Sequence, residues 1–590
     1  MSAALELQKR AQKPLGEILL AHDVILKADL TAALCEQWGL AQLAAHHGRP
    51  ADLHQHLDFC LKARCCPLKP RNGPGFLAVV NPARLQEFQN ELPPEWRELT
   101  PVLCAGDDLN RLLEIGDTKG LTQRAEERTP KSLSCRSWAR PLGRPLLVVS
   151  LILLAELIYM FPATAMWLLF GWTVLNLIAI SFLRVLALGL RLKELLGLTP
   201  RPSPGADLDV LNPRPMVSIL VPLHREESIL PILIERLENT DYPRELLEFC
   251  LVVEQKDTET RAAIRKIAPG PMFRTLVVPD AKLKTKPRAM NYALDFCKGS
   301  IIGIYDAEDA PESDQISRIV RHFSRAPPDV ACIQAYLDFY NPRQNWLSRC
   351  FTIEYAVWFR VVLHGVEMLK LPVPLGGTSV FFRRKALEDL GAWDAYNVTE
   401  DADLGMRLAR FGYRCAFEPS TTFEEANCHP RAWVKQRSRW LKGYLMTWIT
   451  HMRNPAALWR DLGPKGFLTF NVILLGTLST FLTAPAIWSF WLISFGITPH
   501  FVTYLPWQAW TTLGAAFVGS ECLLILLGLA ATWSKSHRFL MPFVPTMMFY
   551  WPLGSLAAVK ALYEVLLAPF YWDKTSHGHS NLTAVEKVPH

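Results

Sequence analysis

Between Tyr396 and Tyr444 the chain reads YNVTEDADLGMRLARFGYRCAFEPSTTFEEANCHPRAWVKQRSRWLKGY. An acidic knot of Thr399, Glu400, Asp401 and Asp403 is followed about thirty-five residues later by the run Gln436 to Trp440. A carboxylate can lift a proton from a hydroxyl, provided that a neighbour holds the other reactant. A cationic, aromatic helix suits a phosphate-bearing donor and a flat ring. The pairing points to group transfer. Gln436, Arg439 and Trp440 stand at i, i+3 and i+4, so on a helix they share one face. Arg439 can then grip a diphosphate while Trp440 offers an aromatic wall to an acceptor.

The elements that must position such groups lie upstream. MVSILVPLH from Met216 is a continuous apolar run ending in polar residues, as a buried parallel strand does. Helical spacing follows in ESILPILIERLENT, then further strands in LEFCLVVEQKD, in LVVP at Leu276 to Pro279 and in IIGIYDAEDAP at Ile301 to Pro311. This alternation predicts an α/β domain over residues 214–450, with an open, doubly wound, Rossmann-like sheet whose ligands sit at the strands' carboxyl ends. Glu226, Glu254, Asp257, Asp306, Glu308 and Asp309 all stand just past such ends.

The chain has 590 residues, half of them hydrophobic, and nineteen tryptophans. It is too long for one core and too apolar for an ordinary soluble protein. The formal charge of +7 is modest, and the basic residues gather beside apolar runs, which favours membrane lipid over nucleic acid as the partner. Thirteen cysteines form no disulfide or zinc framework, so reduced thiols are expected. The opening residues Met1 to Pro14 are polar and helical in character, and no signal peptide is expected there.

Residues 1–118 read as a small α/β regulatory or docking module. Two helices span Leu15 to Leu40, broken near His22 and Asp23, with Asp29 able to cap the second. FLAVV at Phe76 and PVLCAG at Pro101 read as strands, and NPARLQEFQNEL and DDLNRLLEIG as helices. A basic linker, residues 119–144, precedes two predicted transmembrane helices within 145–191. An interfacial connection at 451–465 leads to two more within 466–533. Residues 539–580, broken by Pro542, Pro545 and Pro552, read as a re-entrant or interfacial segment. Basic flanks place both soluble parts on the cytoplasmic side of the inner (plasma) membrane in a multi-pass arrangement. Glu156 should face neighbouring helices rather than lipid.

Seven stretches now carry a resemblance: VSILVPLHREES, VVEQKDTET, TKPRAMNYAL, IYDAEDAPE, PLGGTSVFFRR, NVTEDADLGMRLAR and QRSRWLKGY. In this order, with apolar runs on both sides, the chain resembles membrane-embedded family 2 glycosyltransferases such as the synthases of cellulose, other β-glucans and hyaluronan. The resemblance implies a GT-A fold, a nucleotide-sugar donor, usually UDP-linked, Mg²⁺ or Mn²⁺, and inversion at the anomeric carbon. Asp306 and Glu308 align with the metal-binding DxD, with Asp309 as the alternative to Glu308. Asp257, ranked above Glu254, falls where the nucleotide is contacted, and Lys286 could pair with phosphate. Asp401 is the implied general base, Glu400 stands beside it, and Asp403 is expected to cap the following helix. Gly376, Gly377 and Thr378 resemble the acceptor-lining segment, and FYWDKTSHG from Phe570 a gating loop.

The product expected on this basis is a β-linked exopolysaccharide passed through the chain's own membrane helices. The alternatives are transfer of one sugar to a lipid or lipid-linked acceptor, or a non-catalytic scaffold responding to cyclic di-GMP. The last rests on the N-terminal module, which resembles the N-terminal domain of pilus-assembly and type II secretion ATPases, with one copy of their cyclic di-GMP pattern.

Overall fold

The computed structural model describes residues 2–71, 73–139, 143–198 and 213–571. The chain forms two compact units: Met1–Arg128 with Ala206–Ile234 and Asp241–Ala307, and Thr129–Gly205 with Glu235–Thr240 and Glu308–His590. The gating-loop expectation lies, from residue 572 on, outside the described residues.

The first unit holds two sheets. The N-terminal one contains β1 (Ala41–Gln42), β2 (Arg49–Pro50), β3 (Cys65–Lys69), β4 (Phe76–Val79) and β5 (Thr100–Leu103), in the order β1-β5-β4-β3-β2. β4 and β5 are the expected strands and pair in parallel. β3 went unread because Pro67 disguises a strand paired on both sides. Helices Leu15–Ala21 and Lys27–Trp38 flank a break at Asp23, whose φ is 55°. The Asp29 carboxylate accepts from the Leu26 N–H at 3.1 Å, the expected cap. A Cβ on Gly16 would come within 2.3 Å of the Leu30 side chain, so glycine lets these helices touch. Cys60, Cys65 and Cys66 are buried free thiols packed as core.

The second sheet of this unit has β6 (Val217–Leu223), β7 (Leu247–Glu254), β8 (Phe273–Val278) and β9 (Ile301–Ile304), all parallel in the order β9-β6-β7-β8. The apolar runs are buried along their length, as a parallel sheet covered on both faces requires. Helices Thr258–Ile267 and Lys286–Leu294 follow β7 and β8. This Rossmann-like βα alternation turns the strands' carboxyl ends, and their acids, to one edge.

In the second unit β10 (Ala310–Pro311), β11 (Val330–Phe339), β12 (Val380–Arg383) and β13 (Arg414–Glu424) run in the order β10-β13-β11-β12. β11 pairs parallel with β13 and antiparallel with β12, giving mixed α/β structure. Among the described residues, three helical stretches are long and apolar enough to cross a membrane: Pro162–Leu195, Pro455–Ser494 and Trp507–Ala531. The first expected crossing is the 18-residue helix Gly143–Met160, about 27 Å long and so just short of a bilayer core. Glu156 on it is exposed, contrary to the expectation that it faces helices; it lies one turn from the helix end, where a carboxylate can reach headgroups. The stretch Pro455–Ser494 kinks at Gly463, φ 66°, before Pro464, and turns π-helical at Val472–Gly476. That turn brings the Gly476 carbonyl within 3.1 Å of the Asn176 amide. The bond is a polar tie between apolar helices where a side chain on Gly476 would collide.

Candidate active site

In the first unit, Arg225 stands two residues past the end of β6, a non-glycine residue with φ 59°. Asp257 holds that strained backbone: its Oδ2 accepts from the Arg225 N–H at 2.6 Å and from the Thr260 hydroxyl at 2.9 Å. Oδ1 accepts from the Thr260 N–H at 3.1 Å and so caps the helix Thr258–Ile267. Burial opposes ionisation of this carboxyl, but the Arg225 and Thr260 donors outweigh it and hold the pKa below its usual value. The Glu226 N–H joins the same turn, 3.2 Å from the Thr260 hydroxyl.

Glu254 closes β7 differently. Its Oε2 lies 3.7 Å from the Arg288 guanidinium and is buried with no hydrogen-bond donor. Burial pushes this carboxyl's pKa up against the pull of Arg288. Of the two acids expected to meet a nucleotide, Asp257 has both oxygens occupied by protein donors, and Glu254 retains unmet accepting capacity. Lys286 opens the helix Lys286–Leu294, and its Nζ lies 2.5 Å from Asp306 Oδ1, a cation and an acid that both keep some exposure.

In the second unit, Arg236 donates to the carbonyls of Glu308 and Asp309 at 3.1 and 3.2 Å and fixes the acidic turn. Asp309 is fully buried and accepts from the Thr378 hydroxyl, whereas Glu308 is half-buried. Thr378, expected to line an acceptor, is therefore sealed and turned onto Asp309; Gly377 beside it stays partly accessible. Gln334 on β11 clamps this loop. Its Oε1 accepts from the Gly376 N–H at 2.9 Å, and its Nε2 donates to the Thr378 and Ser379 carbonyls at 3.0 and 3.2 Å. Ser379 sits at φ 50° within that clamp.

Helix Glu400–Arg410 presents Asp401, half-buried, with Oδ1 accepting from the adjacent Ala402 N–H at 2.7 Å; Glu400 is buried. Burial raises the pKa of the Tyr355 and Tyr444 hydroxyls, and the Asp401 charge adds to the rise. Asp403 was expected to cap the helix. It is instead fully buried, paired with Arg407 at 2.8 Å and His451 at 3.0 Å, because it points into the core one turn beyond the N-terminus.

The helix Pro430–His451 carries Gln436, Arg439 and Trp440, all half-buried. Gln436 Oε1 accepts from the Asn427 amide at 2.9 Å. Arg437, which the spacing argument passed over, donates to Glu354 at 2.5 Å, and Glu354 also accepts from the Tyr550 hydroxyl. The Arg437 guanidinium lies 4.6 Å over the Trp440 ring and 4.9 Å over Trp433, so it sets the plane of Trp440. Tyr355 and Phe351 complete that wall, with ring centroids 6.1 and 6.2 Å from Trp440. Gly443 admits Thr399 to the same helix: a Cβ there would lie 2.1 Å from the Thr399 hydroxyl. A glycine inside a helix of large side chains was the signal for that approach; nothing in sequence marked Gln334 or Glu354.

A hard divalent cation fits these donors. In the first unit Asp306 keeps accessible surface, as does Glu308 in the second, and each carboxylate is the oxygen-donor type such a cation takes, while Asp309 is sealed.

Residues 301–553 match the model of the glycosyl transferase family group 2. The chain is similar to the probable glycosyltransferase YdaM of Bacillus subtilis, 27% identical over 39% of this chain and 55% of that protein. It is also similar to the beta-monoglucosyldiacylglycerol synthase of Trichormus variabilis, 28% identical over 41% of this chain and 52% of that one. The chain thus spans about half the length of these relatives. The Synechocystis synthase of the same name is 25% identical over 68% of this chain and 83% of its own. Among solved structures, the Pyrobaculum calidifontis mannosyltransferase PcManGT, in complex with GDP-Man and Mn²⁺, aligns at 20% identity over 67% of this chain and 99% of that one, with a TM-score of 0.42. The match to the glycosyl transferase family group 2 covers less than half of the chain.

Proposed function

We propose that this chain is an inverting, GT-A-type glycosyltransferase that moves a sugar from a nucleotide-sugar, UDP-linked, to the hydroxyl of a lipid or lipid-linked acceptor at a membrane surface. One observation carries the acceptor assignment. The helix bearing Gln436, Arg439 and Trp440 packs through Ser438 and Lys442 onto the helix Pro552–Leu567. There Lys442 Nζ lies 2.9 Å from Glu564, and Lys560 Nζ 3.2 Å from the Ser438 hydroxyl. The opposite face of Pro552–Leu567 is a stripe of Leu556, Val559, Tyr563 and Leu567, each 62–63% exposed. Such a helix lies in the bilayer interface with its small and charged face on protein. That placement supports an acceptor presented at the membrane surface, and it agrees with the names of two relatives, each a beta-monoglucosyldiacylglycerol synthase.

In this reading Asp401 takes the proton of the acceptor hydroxyl as that oxygen attacks the anomeric carbon and the nucleoside diphosphate leaves. Lys286 and Arg439 hold the diphosphate, Trp440 stacks on the acceptor, and Gly377 lines its path. Glu254 rather than Asp257 meets the nucleotide, and Glu226 stands at the same strand edge. Asp306 and Glu308 would hold Mg²⁺ or Mn²⁺, which supplies positive charge to the departing diphosphate.

The Gln436, Arg439, Trp440 pattern also supports a second reading, polymer synthesis with export. Basic flanks of the apolar helices support a multi-pass placement in the inner membrane with the catalytic residues cytoplasmic. Cyclic di-GMP is the candidate ligand of helices Leu15–Ala21 and Lys27–Trp38, and titration of the full chain with it tests that assignment. The deciding experiment supplies nanodisc-embedded protein with radiolabelled UDP- and GDP-sugars. Label in an organic-extractable lipid carrying one sugar supports the proposal, and label in precipitable polymer replaces it with the second reading.

A further inference from the structure

We propose that the N-terminal module is a positioning element for the donor site, acting through an ionic clamp on the helix that carries Lys286. This rests on the assignment of Lys286 to the donor diphosphate. Lys286 is the first residue of a nine-residue helix, and every later residue of that helix, Pro287 to Leu294, is buried. Such a short, buried rod moves as one body, so whatever fixes its far end fixes the direction of Lys286 at its near end. The far end is Asp295, the C-cap. A carboxylate there opposes the helix dipole and costs stability unless cations meet it.

Both cations come from a stretch that the sequence reads as basic linker but that the fold joins to the N-terminal module, since Met1–Arg128 is one continuous part of the first unit. Helix Thr118–Glu127 supplies Arg124, whose Nε lies 2.9 Å from Asp295 Oδ2, and its C-cap Arg128 places a guanidinium nitrogen 2.8 Å from Oδ1. Arg128 also donates to the Asn291 carbonyl at 3.2 Å, while the buried Asn291 amide donates to the Ala125 carbonyl at 2.9 Å. The bonds therefore run in both directions between the two helices. The Asp295 and Arg128 side chains are only 7% and 10% exposed, so solvent screens the pair little.

The same rod carries buried Arg288, which donates to the Pro279 and Leu283 carbonyls and pairs with Glu254 at 3.7 Å. Fixing Asp295 thus fixes both groups assigned to the donor: the Lys286 cation opposite Asp306, and Glu254 through Arg288. A merely structural linker would not need two arginines converging on an acid at the end of that particular helix.

The test uses the full chain in nanodiscs, with UDP and GDP plus Mn²⁺ as binding probes and melting temperature recorded beside each. Asp295→Ala and Arg128→Ala should each weaken nucleotide binding by about five- to twentyfold, and Arg128→Lys by less. In a Lys286→Ala background, Asp295→Ala should add a smaller loss than it causes in wild type, because the clamp acts in part through that lysine. The exchange Asp295→Arg with Arg128→Asp should recover most of the loss. Should a single variant fail to fold, Asn291→Ala breaks the same contact without removing a charge and should weaken binding in the same direction. Wild-type affinity in Asp295→Ala, or a loss undiminished in the Lys286→Ala background, overturns the clamp alone. Failure of the wild-type chain to bind either nucleotide overturns the donor-site assignment and the clamp with it.

Discussion

His451 Nε2 lies 3.0 Å from Asp403 Oδ1, and neither side chain is reached by solvent. The bond joins the last turn of the helix carrying Gln436 to Trp440 to the first turns of the helix presenting Asp401. Arg407 takes the other Asp403 oxygen at 2.8 Å, so one buried carboxylate fixes the proposed base Asp401 and the aromatic wall in a single frame. Asp403→Ala leaves buried Arg407 without its anion and should cost about 3–5 kcal/mol, read as a lost or strongly lowered melting transition. His451→Gln keeps a donor towards Asp403 and should retain more turnover than His451→Ala.

Gly443 tests the same frame from the other side. The added methyl of Gly443→Ala would collide with Thr399, two residues before Asp401, and should cost about 1–3 kcal/mol and lower turnover about tenfold or more. The Thr399 hydroxyl is buried without a hydrogen-bond partner. Thr399→Ala alone should therefore be mild, and the double variant should regain part of the lost activity.

The two acids past β7 should separate cleanly. Glu254→Gln should weaken nucleotide binding by about tenfold with little change in melting temperature. Asp257→Asn, which disturbs the Arg225 turn and a helix cap, should lower the melting temperature, with stability loss of about 1–2 kcal/mol. Calorimetry of nucleotide binding beside thermal unfolding checks both, and a reversed pattern returns Asp257 to the nucleotide.

Glu367 gives a pH signature independent of catalysis. Burial raises its pKa to about 7, from an ordinary value of 4.5. The group's favourable contribution is complete below the unfolded value and is lost as pH rises through the folded one, because the chain must then ionise a buried carboxyl. Glu367→Gln should match wild type in melting temperature near pH 5 and exceed it near pH 8, by about 1–2 kcal/mol after allowing for its partial exposure.

The sequence disclosed the catalytic skeleton unevenly. Acids past strand ends were legible because a buried parallel strand is a continuous apolar run and its carboxyl end is where polarity returns; Glu254 and Asp306 follow from that pattern alone. Helical spacing placed Gln436, Arg439 and Trp440 on a helix correctly, but it assigned Arg437 no task. Its partner Glu354 lies 83 positions away, and Tyr550, which donates to the same carboxylate, lies 196 from Glu354; no local pattern encodes pairings of that range. Asp403 misled because an acid in a first turn is ordinarily a cap, and only the packing of His451 against it shows otherwise. Lys560 and Glu564 stand as charges within an apolar stretch, and what they meet, Ser438 and Lys442, is equally remote in the chain, Ser438 lying 122 positions from Lys560.

The most direct test of the account is Asp401→Asn in the full-length, membrane-embedded chain, with sugar transfer from the preferred nucleotide-sugar measured beside binding of the nucleoside diphosphate. The account predicts a loss of turnover of at least about a hundredfold with binding within about twofold of wild type. Sugar transfer at the wild-type rate would contradict it.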